Sequence, residues 1–187
     1  MALRALGVVA ALALSVSCVQ ANGVHADGAI GRRSGEALSA FAERTLPAKM
    51  DLATKPVEVV VPPLGKVAIV LMRPEGSTSS FTGWVLVPTD RPGAYRKESL
   101  PPMELAEGLF EVQVESVFTA RGGGDLDPKL CVLYSYYRTG SGEEGGHATE
   151  VYGWRSGAFV RLPKVGEGLT GLRNAREVRA RLGKTGE

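Results

Sequence analysis

The chain has 187 residues, 44% of them hydrophobic and 22% charged, with a formal net charge of +2. That length suits one ordinary domain able to bury a sizeable core, and the near-neutral balance offers no global field to gather nucleic acid or an acidic membrane surface. With 24 glycines and 11 prolines a turn-rich fold is favoured over a helical bundle; with Cys18 lost or modified in the leader-like start, Cys131 and the two histidines fall short of the four ligands of a Cys/His zinc cluster.

Residues 1–21 have the anatomy of a secretory signal peptide, with Arg4 ahead of an apolar run and small residues closing it. Val19 and Ala21 suit cleavage before Asn22. Leu14-Ser15-Val16-Ser17-Cys18 also resembles a bacterial lipobox, which implies acylation of Cys18 and a membrane anchor through that lipid alone. Either route exports the protein, as a periplasmic, secreted or lipid-anchored chain. Cys131 then has no partner for an internal disulfide, and between Leu130 and Val132 it reads as a small apolar strand residue. Residues 22–33, rich in glycine and alanine, read as a flexible tether, and residues 34–187 as a single β-rich domain.

Ser34 is placed to cap a helix in which Leu38, Phe41, Ala42 and Leu46 share a face, and Pro47 ends it. Strands are expected over residues 57–61, 66–73 and 81–88, the second almost continuously apolar and so central; residues 95–99 suit a short polar edge strand. Residues 109–118 alternate, with Phe110, Val112, Val114 and Ser116 on one side and Glu111, Gln113, Glu115 and Val117 on the other, which predicts one wet face. Near the end, Asn174 and Glu177 have capping-box spacing for a helix over residues 175–182, with Gly183 as its stop. The arginines around that helix read as a solvated face.

The most strongly patterned stretch is residues 125–162, a predicted β-ribbon holding four of the five tyrosines. Its glycine-rich bend, residues 138–147, contains Gly140-Ser141-Gly142-Glu143-Glu144-Gly145, formally a dinucleotide fingerprint. A strand pattern follows it instead of a helix, and two glutamates would repel a phosphate, so a hairpin tip is the better reading. Arg138, Glu143, Glu144 and His147 on the tip, with Tyr136, Tyr137, Tyr152 and Trp154 flanking it, form the candidate binding surface, because aromatics beside an adaptable backbone suit a protein or glycan partner. Catalytic alternatives centre on His147 as the base of a small hydrolase, or on Glu143, Glu144 and Glu150 as paired carboxylates; neither comes with a nucleophile elbow or a known separation.

Gly122-Gly123-Gly124-Asp125-Leu126-Asp127-Pro128 leads into the strand Leu130-Cys131-Val132-Leu133-Tyr134. Residues 121–136 resemble the calcium loop and strand of an integrin-alpha-type (FG-GAP) propeller repeat. The resemblance implies Asp125 and Asp127 as the carried-over ligands, with glycine where the family places further ones. A metal-free turn and a weak calcium site both remain open, and no other cofactor is implied. The fold expected is α+β, a mainly antiparallel sandwich or curved sheet of about seven to eight strands with one N-terminal and one C-terminal helix. The function expected is a non-catalytic exported binding protein of the bacterial cell envelope, the rival class being a periplasmic enzyme inhibitor or immunity-type protein.

Overall fold

A computed structural model describes residues 28–103, 110–122 and 127–184. The leader, most of the tether and Asp125 lie outside the described residues. Among the described residues the chain is mainly antiparallel β, with ten strands in two sheets.

The first sheet is built on β4 (Gly65–Pro74). One edge of β4 pairs with both β2 (Met50–Leu52) and β3 (Val57–Val61), while β5 (Thr82–Pro88) pairs with the other. Next come β6 (Ala94–Leu100) and the two-residue β1 (Ile30–Gly31). The nearly unbroken apolar run of β4 is buried on both faces, as its sequence requires of a central strand. Residues 95–99 belong to β6, where the two-residue β1 covers only Ala94 and Tyr95, so residues 96–99 keep the edge position expected for them. That pairing also corrects the tether boundary: Ala29 and Ile30 are buried, so the folded domain begins before Ser34.

The second sheet runs β10 (Ala158–Arg161), β9 (Glu144–Arg155), β8 (Lys129–Arg138), β7 (Phe110–Ala120). Val67, Ile69, Leu71, Val85 and Val87 of the first sheet share one core with Val112, Val117, Leu130, Val132, Tyr134 and Tyr152 of the second. Each sheet also has its far face covered. The helix α1 (Leu38–Thr45) places Phe41 and Ala42 against Ala68, Val70 and Leu86. On the opposite side α3 (Ala175–Lys184) sets Val178 and Leu182 against Phe118, Cys131, Leu133 and Val151, assisted by the short α2 (Pro163–Glu167) and Leu169.

The wet face expected for β7 is half covered, because the ladder with β8 slips between Val114 and Ser116. A bulge adds one residue and reverses the alternation. Val112 and Val117 therefore both face the shared core, while Phe118 and Ala120 turn to α3. Glu115, at the slip, accepts a 2.7 Å hydrogen bond from the buried Ser135 hydroxyl.

The capping box of α3 forms as its spacing implies: the Glu177 amide donates to Asn174 Oδ1 at 3.0 Å, and Asn174 Nδ2 donates to Glu177 Oε1 at 2.8 Å. Gly183 lies within the helix and does not end it. Ser34 does not cap α1. It sits in a turn with Gly35, and Ala37 is the N-cap, without a side-chain bond. The anchoring falls to Glu36, which accepts from the Arg33 amide at 2.8 Å and from Arg44 Nε and Nη2, each at 2.8 Å.

Those bonds from Arg44, the largest influence, hold the Glu36 carboxyl down at about 2. A carboxylate depressed on folding stabilises the fold above its unfolded pKa and loses that contribution as pH falls toward the folded one. The melting-temperature gap between wild type and Glu36→Gln should thus be constant above about pH 5 and close as pH approaches about 2. It should also shrink with added salt, since the pair is only partly shielded.

Candidate functional site

The β8–β9 hairpin has the expected form, with Tyr134 and Val151 both in strands. Its bend is closed by the Arg138 amide donating to the Glu143 carbonyl at 2.9 Å, and the Ser141 and Gly142 amides fold back on the Arg138 carbonyl. Gly140 and Gly142 sit at φ of 82° and 65°, where a side chain is disfavoured. Gly145 has a different task. It is the extra residue where the ladder slips between Tyr136 and Tyr137, and a Cβ there would come within 2.6 Å of the Tyr136 ring. The fingerprint-like glycines thus make a turn and a ring seat, and the strand β9 starts at Glu144 where a phosphate-binding helix would be needed.

Arg138, Glu143 and Glu144 are exposed at the tip and Tyr137 is half-buried. Tyr136 is a base residue, its ring 5.4 Å from Phe110 in an edge contact and packed on the shared core. His147 leaves the open surface: its side chain is 15% exposed, Nδ1 lies 3.2 Å from Glu144 Oε1, and its carbonyl accepts from the Gly171 amide at 2.8 Å. Among the described residues no serine hydroxyl hydrogen-bonds to it. Tyr152 does not belong to a surface at all. It is 1% exposed and its hydroxyl donates to the Pro101 carbonyl at 3.2 Å.

Trp154 stacks edge-on against Phe159, 4.9 Å between centroids. Both it and Tyr152 lie roughly 25 Å or more along β9 from Glu144, at about 3.3 Å per residue. The aromatics grouped by sequence proximity therefore divide between the two ends of the ribbon. Asp127 is exposed, and among the described residues no group of three or more His, Cys, Asp or Glu is placed to hold a metal ion. Cys131 is buried, and that burial pushes its thiol up to about 12, so it stays protonated at physiological pH.

Sequence reasoning missed one feature on the inner face of β9. There Glu150 stands between Ala148 and Tyr152 in the alternation and is 7% exposed. Arg161 on β10 pairs with Tyr152 and so reaches Glu150 diagonally, with Nε to Oε2 at 2.6 Å and Nη2 to Oε1 at 2.9 Å. Because β10 ends at Arg161 while β9 continues, α2 passes beside the uncovered edge. Gly166 approaches so closely that a Cβ would be 2.7 Å from the Thr149 carbonyl. Between them lies a cavity of about 190 Å³, walled by Tyr134, Ala148, Glu150 and Arg161 with Glu167 and Thr170 at its rim. Burial, with the Glu150 carboxylate nearby, raises the phenol pKa values of Tyr134 and Tyr152, keeping both neutral.

No protein family, curated protein or solved structure matches this chain.

If the Tyr136 ring seats the tip, Gly145→Ala should destabilise the protein by about 1–3 kcal/mol in denaturant unfolding and speed hydrogen exchange at the Arg138 amide. Gly183→Ala serves as the contrast. With open space around it and a helical setting, that change should be neutral or stabilise by up to about 1 kcal/mol.

Proposed function

We propose that this chain is an exported, non-catalytic binding protein of the cell envelope that meets a protein or glycan partner through the β8–β9 tip. Export rests on the leader-like residues 1–21, with Cys18 as the point of lipid attachment if the lipobox is used. The observation that carries the binding role is the contrast within one hairpin. Its body is buried on both faces, whereas residues 138–145 are exposed without interruption and bear Arg138, Glu143 and Glu144. Such a loop on a rigid support presents charge and backbone amides in a fixed place, which is how scaffolds present recognition loops. The aromatic contribution narrows to Tyr137, with Tyr136 holding the loop's base. Calcium at Asp125 and Asp127 would belong to the other end of β8, away from this surface.

Replacing residues 138–143 with Asn-Gly should join the paired Tyr137 and Glu144 by a two-residue turn, and with Glu144→Ser it deletes the tip and its charges. Recovery of a partner from envelope extract should fall by about tenfold or more while the melting temperature is unchanged. A stoichiometric hydrolase in the wild-type complex would assign the inhibitor role. Identical partners for both proteins would end the tip reading.

A further inference from the structure

The Glu150–Arg161 pair occupies a place where the fold asks for apolar side chains. Along the inner face of β9 its neighbours are Ala148 and Tyr152, and across the ladder Glu150 faces Val132, which is fully buried. An ion pair in such a position rarely adds stability over well-packed apolar residues of similar volume. This pair is also not sealed in. It forms the wall of the cavity of about 190 Å³ that opens between the end of β10 and α2. A fold serving packing alone would fill that space; here a charged pair, two neutral phenols in the neighbouring core and two rim polar residues are held around it.

The chemistry of the wall restricts the occupant. Glu150 and Arg161 neutralise one another, and Glu167 at the rim leaves a net negative charge, which disfavours phosphates and carboxylates. An apolar guest would strip water from both charges without replacing its hydrogen bonds. An ammonium would bring its positive charge up against the Arg161 guanidinium that already neutralises the carboxylate. A neutral ligand with adjacent hydroxyls meets none of these objections, because each carboxylate oxygen accepts up to two hydrogen bonds and a hydroxyl both donates and accepts. The volume is below the roughly 300–1,000 Å³ of pockets that enclose drug-sized molecules, so one ring fits and a chain does not.

We propose that the cavity bounded by Glu150, Arg161, Tyr134 and α2 binds a single neutral sugar ring, free or at the end of a glycan. The hydroxyls donate to Glu150 and accept from the guanidinium of Arg161, and Tyr134 lends its wall to the ring's C–H face. The site uses no tip residue, so it stands whether or not the tip binds a partner.

The test follows amide chemical shifts of Ala148, Glu150, Arg161 and Gly166 during titration with D-glucose, D-galactose, maltotriose and a galactose trisaccharide. Saturable shifts at these amides are expected with at least one of the four. A response to the trisaccharides alone assigns the ring to a chain end; an equal response to the free hexose assigns it to a small solute. Two variants then probe the wall. Thr170→Trp fills the mouth from an exposed position, and the paired change Glu150→Met with Arg161→Leu removes both charges while keeping the volume filled, so both should fold with unchanged far-ultraviolet dichroism. Each should weaken sugar binding by more than about a hundredfold. The proposal is overturned if none of the four sugars gives a saturable shift, if shifts persist in both folded variants, or if inorganic phosphate or cyclohexanol binds at these amides in place of the sugars.

Discussion

Strand β8 imposes the architecture, because every residue from Lys129 through Ser135 is buried. A strand in an antiparallel sheet ordinarily keeps one face wet. Here Leu130, Val132 and Tyr134 require one apolar cover and Cys131 and Leu133 require another. The first sheet supplies the former and α3 the latter. At about 1.5–3 kcal/mol for each large side chain fully withdrawn from water, neither cover is dispensable. Even Lys129 complies: it is 2% exposed, and its ammonium donates to the Gly122 carbonyl at 2.6 Å, which supplies a hydrogen bond for a charge that would otherwise be costly to bury.

The same demand explains which parts of the fold could be read in the sequence. β4 and β8 announced themselves as long apolar runs with β-branched and aromatic residues, and α3 through its capping box. β1, β2 and α2 span two, three and five residues, too short for any periodicity to register. They exist because longer neighbours leave backbone edges to satisfy. The polar look of residues 95–99 is that of an edge: Arg96 and Glu98 pair with each other at 2.7 Å, and β1 reaches only Ala94 and Tyr95. The β7 alternation was read in a single phase, and the bulge at Glu115 broke it. Nothing in the local pattern marks that bulge, where the Glu115 side chain bonds to Ser135 of the partner strand.

For the candidate sites the balance is different. Projection of the bend was legible from its glycines and glutamates. Grouping Tyr152 and Trp154 with it was not justified, since an extended chain carries residues eight or ten positions on to the far end of the ribbon. The Glu150–Arg161 pair was in principle within reach. A two-residue turn at Ser156-Gly157 fixes the β9–β10 register, which sets Arg161 opposite Tyr152 and diagonal to Glu150. Alternation places Glu150 on the tyrosine's face. What the sequence does not contain is the early end of β10, the feature that leaves room beside the pair.

The tip and the cavity place different constraints on the fold. Thr139 and Ser141 are exposed between the two positive-φ glycines, and the bonds of residues 139–142 are confined to the turn, so these two identities are free to follow a partner. Glu150 and Arg161 have no such freedom. Losing Arg161 strips the mostly buried Glu150 carboxylate of two charge-assisted hydrogen bonds, at a cost of about 3–5 kcal/mol, a large part of the roughly 5–15 kcal/mol that holds a domain of this size together. Only a concerted exchange escapes that cost, and apolar residues would tolerate the place as well or better. The pair thus ties β10 to β9 at a fixed register while forming one wall of the cavity beside it.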